Sequence, residues 1–251
     1  MALPLGVWLA AHVGYAPVFA AGAVAALAGL VAVPGLPDRE HADRRPPAAR
    51  PARRAQRADG VLAGMRTPAL VRPCAVFSAT TMAAGIVVTF LPLAATRATA
   101  NLVALALLVQ PALLVQPAVS TGARWLAGRH GDRHGQTGLI IPGVLASAAG
   151  MLMLALTPQP AAVIGGAVLF GAGFGVTQNA TLSLMYARVP ASGYGAVSAL
   201  WNLSYDAGMG LGAAGFGVVA ARTGSALSFA LTAALMLAML AAAGLRRADR
   251  S

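Results

Sequence analysis

Lysine does not occur in this chain. All 18 basic residues are arginine, seven residues are acidic, and charged residues make up 10% of the 251 positions. So few charges cannot cover a soluble domain of this size, whose water-facing surface carries most of its charged side chains. Cys74 is the single cysteine, which excludes an intrachain disulfide. The opening MALPLGVWLAA holds no basic residue, whereas a secretory leader needs a positive start before its apolar core. It reads instead as the tail of a helix that began earlier. No Walker A loop, Gly-rich dinucleotide fingerprint, zinc-type His-Glu pair or Gly-x-Ser-x-Gly elbow occurs, which argues against a primary pump and against an enzyme. His130 and His134 stand four apart in what reads as a turn, and without a third ligand they make no metal site. No cofactor is expected.

Apolar residues are abundant: they form 58% of the chain, and the mean hydropathy is +0.71. They fall into blocks of about 20 residues, the length that crosses ~30 Å of hydrocarbon. The blocks are Gly14–Val33, Ala69–Ala94, Leu102–Trp125, Leu139–Leu156, Ala161–Tyr186, Tyr194–Ala220 and Ala226–Leu245. In lipid a backbone must satisfy its own hydrogen bonds, and barrel strands would show alternating segments of ~10 residues. The expected fold is therefore all-α, a polytopic membrane helix bundle with about seven transmembrane helices. Internal prolines such as Pro111 and Pro117 are compatible with membrane helices and can mark kinks.

The net charge of +11 could suggest nucleic acid. The arginines, however, cluster at the ends of apolar blocks with no aromatic or Gly-rich binding pattern beside them, so no nucleic-acid partner is expected. From Pro34 to Pro68, eight arginines stand among Pro and Ala. This segment reads as a solvated tether between helical bundles, with contact to lipid headgroups as the sharper alternative. If it is cytoplasmic, 16 arginines lie inside and two, Arg97 and Arg222, outside, as the positive-inside rule requires. On that count Arg124, Arg129, Arg133 and Arg188 belong to cytoplasmic connections and the C-terminus is cytoplasmic.

The hexapeptide LLVQPA occurs twice in tandem, at Leu107–Ala112 and Leu113–Ala118. Six added residues rotate a helix by a net ~240° and lengthen it by ~9 Å. A short duplication is the simpler reading; a working Gln110/Gln116 pair is the alternative.

Between the third and fourth blocks the chain runs Gly128-Arg-His-Gly-Asp132-Arg133-His-Gly135-Gln-Thr. This resembles the Gly-x-x-x-Asp-Arg-x-Gly-basic-basic loop of the major facilitator superfamily, which joins helices two and three and recurs between helices eight and nine. Gly128, Asp132, Arg133 and Gly135 match; Gln136 and Thr137 stand where basic residues are usual. Leu3–Leu9 followed by Gly14–Phe19 resembles the end of helix five and the start of helix six. The resemblance implies a remnant of the N-terminal bundle over 1–34, a basic cytoplasmic linker over 35–68, and the C-terminal six-helix bundle over 69–251. It implies a conformational-switch role for the loop, whose carboxylate can pair with a neighbouring helix terminus in one state and release it in the other. Family members carry two six-helix bundles with the solute path between them. A missing N-terminal bundle, supplied by upstream coding sequence or by a second chain, is accordingly an expected partner, with a small-molecule substrate and membrane lipid as the others.

Candidate chemistry follows from polarity at membrane depth. Asp206 is central in Tyr194–Ala220, within Trp201-Asn202-Leu-Ser204-Tyr205-Asp206. An ionisable group there costs ~2.5–3.5 kcal/mol on insertion scales, so it marks a proton or substrate site, or a lock to a neighbouring helix through Asn202 or Ser204. Gln178 and Asn179 stand mid-block, suited to hydrogen-bonding a solute or another helix. Thr80, Thr81 and Thr89 are weaker candidates, since threonine often bonds its own helix backbone. Gly171/Gly175 and Gly208/Gly212 are small-x-x-x-small pairs that predict close helix packing, and alternatively hinges. The function expected is a secondary active transporter, proton-coupled, of a small solute, working by alternating access. The alternative is a non-transporting membrane scaffold or inert remnant.

Overall fold

The computed structural model describes residues 64–98 and 102–244, with Ala20 and Val24 as isolated helical positions, and the side chains of 64–92 and 111–244. Apart from Ala20 and Val24, the first apolar block lies outside the described residues, as do the arginine tether before Gly64 and the side chains of Gln110 and Arg97. Six long helices follow in order: α1 Pro68–Ala98, α2 Leu102–His134, α3 Thr137–Leu154, α4 Pro160–Tyr186, α5 Tyr194–Thr223 and α6 Ser225–Ala242. A 3-10 turn at Ala191–Gly193 leads into α5. Among the described residues there is no strand. All six helices belong to the compact unit Arg54–Ser251.

Among the described residues α1 over Pro68–Pro92, α3, α4 and α6 are both long and apolar enough to cross a membrane. The other two have the length, with 33 residues in α2 and 30 in α5. The first half of α2, LVALALLVQPALLVQPAV, contains no charged residue, whereas Asn202 and Asp206 lower the apolarity of α5. Length is what the apolar runs dictate, and the interior prolines Pro73, Pro92, Pro111, Pro117 and Pro142 all sit inside continuous helices.

The bundle is organised around α1 and α4. The α1 helix packs chiefly on α5 and touches every other described helix, while α2 and α3 pack chiefly on α4 and α6 lies against α3. Its interior is mostly apolar, with Phe77, Ile86, Leu91, Phe170, Met151 and Phe229 fully enclosed. Lipid tails are as apolar as these side chains, so helices in a bilayer associate through close van der Waals fit rather than escape from water.

Glycine supplies that fit. A Cβ on Gly171 would stand 2.5 Å from the carbonyl oxygen of Gln116, and one on Gly175 would overlap that of Ser120, so α4 lies directly on the α2 backbone. Gly208 and Gly212 do the same for α5 against Ser78 and Met82 of α1. Both pairs bear out close helix packing as the plain reading of their spacing. The structure adds Gly85, which lets α1 approach Met209, and a second glycine line on α4: Gly166 and Gly173 meet Gly150 and Gly143 of α3. At ~100° per residue the two lines on α4 lie on roughly opposite faces, so α4 is flattened on both sides and clasped between α2 and α3.

Candidate functional site

Helix α2 does not stop where the apolar block ends. It continues through Trp125 and Gly128 to His134, and the chain turns only at Gly135, whose φ of +87° places it in the left-handed region that glycine adopts without strain. Most of the Gly128–Gly135 signature is therefore helical, which corrects its reading as a loop between two spans. Its interior glycines meet no backbone requirement that would break the helix. Arg124 is likewise corrected: it lies within α2, ten residues and ~15 Å before the helix end, rather than in a connection. His130 and His134 lie one helical turn apart with rings stacked at 4.5 Å, again within the helix. Arg129 folds back over Trp125, 4.9 Å from the ring centroid.

The signature residues are handled differently along the helix. Gly128 faces α4, where a Cβ would come within 3.0 Å of the Asn179 amide nitrogen. At Gly131 the Gln136 side chain occupies the space that a Cβ would need, which ties the start of α3 to the end of α2. The Gln136 Oε1 is enclosed there without a hydrogen-bond partner. Asp132 and Arg133 are exposed, and Asp132 makes no ion pair or helix cap among the described residues.

Above this end lies a polar cluster between α2 and α4. The Arg124 guanidinium donates to the Gln178 side-chain oxygen. Asn179 donates from Nδ2 to the Arg124 carbonyl at 2.8 Å and accepts from the Ser183 hydroxyl at 3.0 Å. Gln178 is buried and lies five residues past the centre of α4, ~7–8 Å along the axis. The structure therefore joins Gln178 and Asn179, two candidates read from adjacent positions, to Arg124, whose part the sequence did not disclose. No acidic partner for Arg124 occurs among the described residues. Replacing Arg124 by methionine leaves a buried amide oxygen without its donor. A double-mutant cycle of Arg124→Met with Gln178→Leu should give a coupling of ~1 kcal/mol in detergent melting experiments, and additive single effects would show that the contact carries no energy.

The second group stands on α5. Asp206 and Asn202 are both exposed on the bundle. Asn202 donates to the Ser198 carbonyl and Ser204 to that of Leu200, each within α5. Neither reaches Asp206, so the expected helix lock through them is not formed. Asp206 has no hydrogen-bond or ion-pair partner among the described residues. Beside it runs an aromatic cluster not anticipated from sequence: Phe77 of α1 stacks on Trp201 at 4.5 Å, with Tyr205 6.0 Å from Trp201. The Trp201 indole donates to the Thr181 hydroxyl of α4 at 3.4 Å. Adjacent apolar-block aromatics give no pairwise signal in a sequence, and only the α1–α5 contact aligns them.

The threonines divide. Thr80 donates to the Val76 carbonyl of its own helix at 2.9 Å, whereas Thr81 lies within 3.0 Å of the Ser78 carbonyl and 3.3 Å of the Ser204 carbonyl across the α1–α5 contact. Thr89 is exposed. Of the duplicated hexapeptide, Gln116 offers its backbone to Gly171.

Comparison with known proteins gives one result. A family model described as Major Facilitator Superfamily matches residues 1–213, which takes in the arginine tether, the Gly128–Gly135 signature and α5 as far as Ala213. No curated protein and no solved structure gives a match.

Proposed function

Because the chain belongs to the Major Facilitator Superfamily, we propose that it is the C-terminal part of a secondary active transporter that moves a small solute by alternating access, coupled to protons, in the cell membrane. It is a membrane transporter by family and no enzyme by this proposal. Its C-terminus is cytoplasmic in this reading, and the same rocking of two bundles serves export or import of the solute.

The observation that supports the reading best is the polar geometry of the bundle. Family membership supplies the class; the solute and proton sites are proposed from individual residues. Gln178, Asn179 and Arg124 offer amide and guanidinium groups at membrane depth, the kind of convergent polar set that orients a small ligand against apolar walls. Asp206 and Asn202 hold a carboxylate and an amide on an open face of α5, where a second bundle or a water path would meet them. At the end of α2, Asp132 is free to pair with a partner helix in one state and leave it in the other.

The test is transport. Cells expressing the protein with its upstream coding sequence should show altered medium-to-cell ratios of a small solute in untargeted metabolite profiling, and a protonophore should collapse that difference. Unaltered ratios would favour the non-transporting scaffold, and a difference indifferent to the protonophore would remove proton coupling while leaving transport.

A further inference from the structure

Helices α5 and α6 are joined by the single residue Gly224, whose φ of +80° permits the abrupt reversal, yet they touch each other only sparingly. Between them and α1 lies an open-sided cavity of about 230 Å³. Met82 and Ile86 form part of its floor, and Leu211, Gly215, Leu231 and Leu235 part of its walls. A Cβ on Gly215 would meet nothing within 4 Å, so nothing among the described residues fills this space.

The two hydroxyls in the lining are turned inward. Ser228 donates to the Gly224 carbonyl at 2.7 Å and Thr232 to the Ser228 carbonyl at 2.8 Å. The surface left to an occupant is therefore apolar. The walls open outward through side chains that are themselves exposed, Leu211 at 67% and Leu231 at 47%. Only 28% of α6 is buried within the bundle. In a bilayer this opening faces hydrocarbon.

The mouth of the slot is charged. Arg222 follows Leu211 by eleven residues, which on an α-helix is ~20° in angle and ~16 Å in height. It therefore stands on the same face as Leu211 and Gly215, one hydrocarbon half-thickness away, where headgroups lie. Arg222 is exposed and has no ion-pair partner among the described residues. We infer that the α5–α6 slot binds an anionic phospholipid, one acyl chain lying between Leu211, Gly215 and Leu231 and the phosphate on Arg222. A volume below the ~300–1,000 Å³ of pockets that take a whole drug-sized ligand, open along its length, suits one chain of a lipid whose remainder stays in the bilayer. Guanidinium on phosphate gives the charged headgroup contact.

The assignment rests on the membrane fold and not on transport, so either can fail alone. The full chain, purified in mild detergent, is mixed with equimolar phosphatidylglycerol and phosphatidylcholine and observed by native mass spectrometry. The wild type should retain one phosphatidylglycerol at least fivefold more often than phosphatidylcholine. Gly215→Leu, which fills the slot, should abolish retention of both. Arg222→Gln, a surface change with little bearing on folding, should keep the bound chain and equalise the two lipids. Gly210→Leu, also in open space, serves as the control and should behave as wild type. Equal retention of both lipids by the wild type, or retention of phosphatidylglycerol unchanged in Arg222→Gln, would overturn the assignment.

Discussion

Gly212→Val should unfold the α1–α5 contact and lower the melting temperature in detergent by about 10 °C, corresponding to ~3 kcal/mol or more. A side chain at this position would overlap the backbone carbonyl of Met82. No rotamer escapes that overlap, because the obstructing atoms belong to the main chain of α1. The helices must separate, and separation also breaks the hydrogen bonds that Ser78 and Thr81 give to the Ser204 carbonyl at 3.2 and 3.3 Å. The Phe77–Trp201 stack at 4.5 Å lies on the same contact. Gly210→Val is the comparison: it is two residues away on the same helix, and a Cβ there meets nothing within 4 Å. It should melt within a degree or two of wild type. If Gly212→Val melts with wild type as well, α1 and α5 do not pack as described.

Asp206→Asn should reduce proton-driven transport at least tenfold while leaving the protein as stable as before or more so. Both signs follow from position. Asp206 lies within two or three residues of the centre of α5, exposed on the bundle and without a partner among the described residues. A lone carboxylate at membrane depth costs ~2.5–3.5 kcal/mol, and the neutral amide relieves that cost. A structural lock would respond in the opposite way, losing stability along with its hydrogen bond. Asp206→Glu retains a titratable group and should keep part of the proton dependence. The readout is solute movement in proteoliposomes at several pH values, beside a melting curve for each variant. Unchanged pH dependence in Asp206→Asn ends the coupling role proposed for this residue.

The contrast between these two residues shows how far a linear reading reaches. Gly208 and Gly212 were recognisable as a packing pair from their spacing alone, since four residues return a helix to the same face. Their partner was not recognisable. Gly85 lies in another block, and nothing local ties it to Met209. Asp206 was recognisable because a carboxylate in an apolar run is costly anywhere in the bilayer, but its exposed side was not, because the run itself has no strong polar face. Gln178 and Asn179 were legible as polar residues at depth. Their attachment to Arg124 was hidden, because Arg124 read as a loop residue until α2 was seen to run on to His134.

Gln136 gives the sharpest case. As a residue in a family signature it was a departure, an amide where a basic side chain is usual. In the structure it fills the gap left by Gly131, a joint between the ends of α2 and α3 that no spacing rule announces.

From its own sequence, then, the chain determines that it is helical, that it belongs in a bilayer, and which positions are too polar or too small to be ordinary there. Hydrocarbon thickness and backbone hydrogen bonding are properties of each segment taken singly, so each segment reports them without its neighbours. Which helix meets which was decided only in three dimensions, as was the side of α5 left open and the arginine that reaches Gln178. Close packing in lipid is a matching of two surfaces distant in the chain, and a one-dimensional pattern specifies each surface without specifying its mate.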